Sequence, residues 1–486
     1  MVNLVWSLAR FEMLDAPLLQ AFSSASISKI AELTCQDIVN TSWSFAKLNV
    51  CDRPLRQSIS AAALRRCNLF NRQDLANTAW AYATLGLADA PLLDAIARAA
   101  LSKHTELIAQ ELANLAWSFA TLQVEHRPLL DAISASARAR IAEFCPQNLS
   151  NTAWAFADLC VADSPLLDAI AAASIRSIGD FDTQALGSTA WAFAKLSCKN
   201  PSLFEAIASE AMRKISECKP QELANIMWAL ATLGLTIGPL MSAISAASIN
   251  KMALFGAQEL SNMAWAFAAL IVKDEPLLDA ISAEAIKRIH EFSPQNLANT
   301  AWAFAALMLP NDPLFEAIAE QALLTIQHFG AQDLANTAWA LATLGFAHEP
   351  LMSAISAVAI ARICEFDAQN LANTAWAFAT LDLLDAPLIE AISREVLRQI
   401  AALPAARVLA LDGPRPDDFA VHVTGVVWAF NFVGSLDPAF YARVREVVLE
   451  TGRAMDARRP PGPGPGVVAP AGPGAAGSPH VALDLP

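Results

Sequence analysis

Hydrophobic and polar positions in this chain recur together at a fixed interval of 37 residues. Eleven tryptophans mark it: Trp6, Trp43, Trp80, Trp117, Trp154, Trp191, Trp228, Trp265, Trp302, Trp339 and Trp376. Trp428 alone falls out of phase. A period of this size, held without insertion, predicts a repeat array whose units bury their apolar faces against their neighbours. In the unit Ser293–Leu307 the apolar residues follow a helical period, with Ser293 suited to the N-cap and Pro294 to the first helical position. Asp182 and Asp367 can cap in the same way. A second helix opens at a proline eleven residues after the tryptophan in ten of eleven units, as at Pro17, Pro54, Pro91, Pro128, Pro313 and Pro387, and one residue early at Pro201. Each unit is therefore expected to be two helices of roughly 13–15 residues. The fold class expected is all-α, an α-solenoid of eleven helix pairs.

On a helical wheel of the first helix, the tryptophan is expected on the buried arc. With it go the alanines one and four before, Leu five before, Phe two after and Ala three after. The opposite face is expected to hold Gln seven before, Asn three before, and the residues six before, two before and one after. The residue one after is always Ala or Ser, as at Ser44, Ser118, Ala155 and Ala303. Such a small side chain would let a ligand approach.

Two polar columns barely change. Gln recurs at 36, 73, 110, 147, 184, 221, 258, 295, 332 and 369. Asn recurs four residues later, with Ser188 as the exception. The pairs Gln73 and Asn77, Gln110 and Asn114, Gln147 and Asn151, Gln221 and Asn225, Gln258 and Asn262, Gln295 and Asn299, Gln332 and Asn336, and Gln369 and Asn373 each share a helix face. They read either as a hydrogen-bond ladder between units or as an amide row that contacts a ligand. A constant column cannot encode a sequence. The columns six before (Asp37, Asp74, Glu111, Asn148) and two before (mostly Thr, with Leu115, Ile226 and Met263) vary, and are candidate readers. The acids of the first also suit a helix N-terminus.

Composition changes the picture in three ways. The chain is 55% hydrophobic, yet no apolar run reaches a membrane span. Its net charge of −14 argues against a simple nucleic-acid binder. Its eight cysteines show no metal spacing, so free thiols in a reducing compartment are expected, with no metal and no cofactor. Late in the second helix a cation recurs, at Lys29, Arg66, Lys103, Arg140, Lys214, Lys251, Arg288 and Arg362. Six of these have a Glu three residues on; Arg66 and Lys251 face a Leu. The row reads as local ion pairs or as a phosphate track, and Arg66 and Lys251 are the candidates for the latter. No nucleophile–base pair or phosphate loop appears, so no enzyme activity is expected.

The string Gln-Asp-Leu-Ala-Asn-Thr-Ala-Trp-Ala-Leu-Ala-Thr-Leu (332–344), followed by Pro-Leu-Met-Ser-Ala-Ile (350–355), resembles the octotricopeptide repeat. The resemblance covers residues 1–402. It implies a sequence-selective binder of single-stranded RNA in a chloroplast or mitochondrion, acting in RNA processing, stability or translation, with the amide row at the RNA. Relatives often end in a RAP domain. The unit here is one residue shorter than that family's name denotes, the chain is acidic, and only Leu411-Asp-Gly-Pro414 echoes a RAP motif. Residues 403–418 read as a linker, 419–455 as a degenerate capping helix pair around Trp428 and Pro438, and 456–486 as a disordered Pro/Gly/Ala-rich tail. Met1 lies five residues before Trp6, so the chain reads as truncated at its start, where a targeting segment would lie. Single-stranded RNA is the expected partner of a monomer, with or without a basic protein in a complex. The rival is a protein-interaction scaffold of the HEAT or armadillo kind.

Overall fold

Capping residues set where each helix begins. The computed structural model describes residues 2–402 and 416–458; among them are 24 α-helices and no strand. The protein is an all-α array of helix pairs. The first helix of a unit, helix A, spans for example Arg72–Thr84 or Pro294–Ala306, and the second, helix B, Ala90–Ser102 or Ser164–Arg176. Ser293, Asp182 and Asp367 cap their A helices through side-chain oxygens. The residue six before the tryptophan supplies the reciprocal half of a capping box. Asp37, Asp74, Glu111, Asn148, Glu222, Glu259, Asn296 and Asp333 accept from the backbone N–H of the N-cap residue at 2.7–3.3 Å. The acids of this candidate reader column are thus held by helix starts.

Helix A ends as regularly as it begins. The residue six after every repeat tryptophan is left-handed: Gly86, Gly234 and Gly345, but also Glu12, Asn49, Gln123, Cys160, Ser197, Ile271, Met308 and Asp382. The next N–H then bonds back to a carbonyl five residues earlier, as Val50 to Phe45 at 2.9 Å. Helix B starts on side-chain caps such as Asp52, Asp89 and Asp163. Some of these also reach the previous B helix. Ser60 donates to Asp89 and Ser134 to Asp163 (both 2.5 Å), and Asn311 donates to Ser282 (2.8 Å).

Residues up to Val358 form one compact unit and those from Ala359 a second. In the first, each A helix packs closely on the next A helix, whereas successive B helices touch more sparsely. Small residues permit the close approach. Those one after the tryptophan, such as Ser44, Ser118, Ala155 and Ala303, are fully buried between A helices. At Gly187 a Cβ would come within 3.3 Å of the Glu222 backbone in the next A helix. In the second unit, Ala368–Thr380 packs on Pro416–Phe432, and Ala386–Ala402 on Pro438–Arg458. The last pair begins and ends three residues beyond each expected bound. Gly434, six after Trp428, is left-handed like its counterparts in the repeats. Residues 403–415 and 459–486, which include the Leu411–Pro414 echo and most of the expected linker and tail, lie outside the described residues. No described helix is long and apolar enough to cross a membrane.

The cation row has a structural use. From the end of helix B, six of these side chains reach back 33 residues to a carbonyl in the preceding B-to-A connector. Arg140 donates to Leu107 (2.8 Å), Lys214 to Phe181 (2.5 Å), Lys251 to Cys218 (2.6 Å) and Arg288 to Phe255 (2.5 Å). Lys103 meets Phe70 and Arg66 meets Leu33 in the same way. Gln399 occupies the slot in its unit and reaches Phe366 (2.7 Å). Of the six expected ion pairs with the following Glu, the three from arginines form, at 2.7 Å for Arg140–Glu143, 2.6 Å for Arg288–Glu291 and 2.5 Å for Arg362–Glu365. Lys214 pairs with Glu210 instead, and Lys29 and Lys103 pair with no Glu among the described residues. The arginines hold the Glu143 and Glu291 carboxyls below the usual carboxylate range. Ser177 and Thr325, in the same slot, bond only within their own helices.

Hydrogen bonds from charged donors contribute about 1.5–3 kcal/mol each. Lys251→Met should therefore lower stability by about 1–3 kcal/mol, and Thr325→Lys, which can reach Phe292, should raise it; urea unfolding followed by circular dichroism measures both. Ile271, β-branched at φ 56°, carries backbone strain. Ile271→Gly should raise stability by about 1 kcal/mol in the same assay.

Candidate functional site

Helix A leaves only a narrow arc uncovered; it holds the Gln and Asn columns as expected, but not the columns two before and one after the tryptophan. Residues seven before, three before, at and four after the tryptophan fall within 60° of one another on the wheel. In the unit of Trp80 these are Gln73, Asn77, Trp80 and Thr84, in that of Trp228 Gln221, Asn225, Trp228 and Thr232. All ten glutamines of the column are exposed, and the asparagines, Ser188 and all eleven repeat tryptophans are half-buried. The tryptophan therefore belongs to the open face. Its ring bodies are covered by neighbouring units while its edges meet solvent, as suits an amphipathic ring. The residue after it, expected at the centre of the open face, is core. The column two before is core too: Thr78, Leu115, Thr152, Ile226 and Met263 are all buried, so it cannot read a ligand.

The tryptophans form a ladder in runs, Trp6 to Trp80, Trp154 to Trp265 and from Trp302 onward, with Trp117 in no ring contact with either neighbour. Ring centroids lie 6.4 Å apart for Trp6–Trp43, 6.3 Å for Trp43–Trp80, 6.2 Å for Trp191–Trp228 and 6.4 Å for Trp302–Trp339, with planes 30–35° apart. The amides run beside it. Gln73, Asn77, Gln110, Asn114, Gln147, Asn151, Gln221, Asn225, Gln258, Asn262, Gln295, Asn299, Gln332, Asn336, Gln369 and Asn373 make no side-chain hydrogen bond to the described residues. The expected ladder of amide bonds between units is absent; the carbonyl clamps and close helix packing link the units instead. Two amides per unit thus stand in solvent with their donors and acceptors unspent.

The two cations assigned to a phosphate track need correction. Arg66 donates to the carbonyls of Leu33 and Ala31 (2.8 Å to the latter), and Lys251 to those of Cys218 and Ser216 (2.6 and 2.8 Å). A leucine three residues on shows the absence of a local acid, but a partner 33 residues away leaves no trace at that spacing. The column that sequence reasoning missed lies four after the tryptophan. It is exposed or half-buried in every complete unit, and it varies: Lys47, Thr84, Thr121, Asp158, Lys195, Thr232, Ala269, Ala306, Thr343 and Thr380. Its signal was available, since positions 0 and +4 share a face once the tryptophan is placed on the open side. Lys195 lies over the Trp191 ring at 5.4 Å, and Lys47 pairs with Glu12 at 2.9 Å. The stripe is otherwise nearly neutral. An acidic row runs elsewhere, on exposed B-helix positions such as Asp94, Asp131, Asp168 and Glu205.

Because these amides bond to none of the described residues, replacing Asn151, Asn299 and Asn336 together by Ala should leave stability within about 0.5 kcal/mol of the parent. A loss above about 2 kcal/mol in thermal or urea unfolding would show instead that they tie the units together.

Comparison with known proteins bears on this surface. No curated protein matches the chain. Among solved structures, it is similar to a homology model of the full-length AP-3 complex in an intermediate open conformation, at 11% identity over 93% of this chain and 90% of that one, with a TM-score of 0.34. It is also similar to a circular tandem repeat protein with novel repeat topology, at 12% identity over 90% and 88%, with a TM-score of 0.15. The family model described as RNA-editing substrate-binding complex 6 protein matches residues 26–177 and 172–411. Together these stretches span most of the array, and the chain belongs to the RNA-editing substrate-binding complex 6 protein family.

Proposed function

We propose that the protein holds single-stranded RNA along the stripe of Gln, Asn and Trp, as a non-enzymatic subunit of a ribonucleoprotein complex in an organelle. One observation carries this reading: two unpartnered amides beside a half-exposed indole, repeated at one spacing. Amides hydrogen-bond base edges, and aromatic edges and faces pack on bases. The 6.2–6.4 Å step of the ladder is nearly twice the rise of about 3.4 Å per nucleotide in a stacked strand. A strand that follows it at one nucleotide per unit must be unstacked, which a duplex is not. The constant amides would hold every nucleotide alike, and the variable residue four after the tryptophan would add selectivity. The family supports an RNA-associated role within a complex. The resemblance of the unit to the octotricopeptide repeat supports sequence selectivity and a chloroplast or mitochondrial site of action.

Cations on the stripe are few, Arg10, Lys47 and Lys195, so phosphate neutralisation has to come largely from elsewhere. This favours a basic protein partner in the complex. A pure protein scaffold is the second reading, and the acidic B-helix positions favour it.

The test is binding of the full chain to a randomised single-stranded RNA pool across a salt series. Selective enrichment is expected, with a footprint on the order of ten nucleotides. The log–log salt slope should be no steeper than about −2, from three cations at roughly −0.7 each. The triple Asn→Ala variant should bind at least tenfold more weakly, while Lys251→Met, whose charge is spent on carbonyls, should bind within twofold of the parent. Absence of binding at low salt by the folded chain would give the scaffold reading the lead.

A further inference from the structure

The core of the array is broken at one place, in two adjacent units at once. Thirteen residues after the tryptophan, helix B carries an apolar side chain in every unit but one: Leu93, Leu130, Phe204, Leu278 and Phe315 are representative, and all are buried. In the unit of Trp43 that position is Arg56. Two residues after the tryptophan, helix A carries Phe or Leu everywhere in the repeats except at Tyr82, in the next unit. The two exceptions face the same space. Arg56 and Tyr82 together line a cleft of about 610 Å³ with Gln57, Ser60, Leu87 and Asp89, and both also line a smaller cavity beneath it.

The polar groups there are arranged unequally. Asp89 is satisfied, since Ser60 donates to it at 2.5 Å and the Leu92 N–H at 3.3 Å. Tyr82 is only 3% exposed, and its hydroxyl makes no well-formed hydrogen bond, having only the Ser60 hydroxyl, already spent on Asp89, beside it. Burial, reinforced by Asp89, pushes its phenol well above the ordinary range, so it stays a protonated donor. The Arg56 guanidinium makes no hydrogen bond or ion pair with any described residue. A guanidinium in a slot that otherwise holds core side chains, and a buried hydroxyl without a well-formed hydrogen bond, are each costly to keep. A single acceptor placed between them would satisfy both.

We infer that the cleft between helices Arg53–Arg66 and Ala90–Ser102 is a binding site for an anionic group, a carboxylate or a phosphate monoester on an apolar body. Arg56 supplies the charge and a forked pair of donors. Tyr82 donates the third hydrogen bond from below, and Leu64, Leu87 and Pro91 receive the apolar part. The site lies on the opposite side of helix A from the tryptophan ladder, because positions 0 and +2 are 200° apart on the wheel. It is therefore independent of the RNA-binding reading.

Calorimetric titration of the full chain with phenyl phosphate, with benzoate and with the neutral benzyl alcohol tests this. Saturable binding of at least one of the two anions is expected, with none for the alcohol, and the stronger anion identifies the source. Arg56→Leu and Tyr82→Phe restore the residues that the other units carry, so both variants should fold and unfold at or above the parent temperature. Arg56→Leu should weaken anion binding at least tenfold and Tyr82→Phe severalfold. No saturable binding of either anion to the parent, or binding unchanged in Arg56→Leu, would overturn the proposal and leave the two residues as departures from the core pattern without a ligand.

Discussion

The close approach of successive A helices governs everything else in the array. It exists because the residue after each tryptophan is Ala or Ser, buried from Ser44 onward, and because the residue four before is Ala, Ser or Gly from Ala76 onward, down to Gly187. Dense packing of this kind gains dispersion energy at every interface and leaves no room for a larger side chain. It also fixes the geometry of the exposed side. Within each run of the ladder, neighbouring indoles come to 6.2–6.4 Å because their helices do. The periodic surface follows from the periodic core.

Polar groups divide into those the protein uses and those it leaves open. The acids six before the tryptophan bond to helix starts, the cations at the ends of the B helices bond to connector carbonyls, and the B-helix caps bond to serines of the previous unit. In each case the group is charged or strongly polar; the acids find their partner within the unit, the cations and B-helix caps in the neighbouring one. The glutamines and asparagines of helix A have the same periodicity and no such partner. Strict recurrence is therefore explained by architecture for three columns, whereas the two amide columns have no partner among the described residues.

The helix pairs, their prolines and their caps were legible in the sequence because period and capping chemistry are local. The left-handed residue six after each tryptophan was not, since only three repeat units mark it with glycine and the others place Glu, Asn, Gln, Cys, Ser, Ile, Met or Asp there. Trp was misplaced on the wheel because its hydrophobicity was weighted above its angle, and that one error put Ala303 on the surface and Thr78 among the readers. The clamps of Arg66 and Lys251 were hidden for a different reason: their partners are backbone carbonyls, which carry no residue identity.

Two units lack the clamp, those in which Ser177 and Thr325 bond only within their own helices. In a nearest-neighbour array, stability is a sum of unit and interface terms, so a weaker interface is a seam. The connectors at Phe144 and Phe292 are such seams, four units apart. Sub-global opening begins where the local free energy is lowest, and amide hydrogens beside these two connectors would exchange ahead of those in the clamped stretch between them. The chain thus carries, in two residue choices, a division into blocks that its uniform tryptophan period conceals.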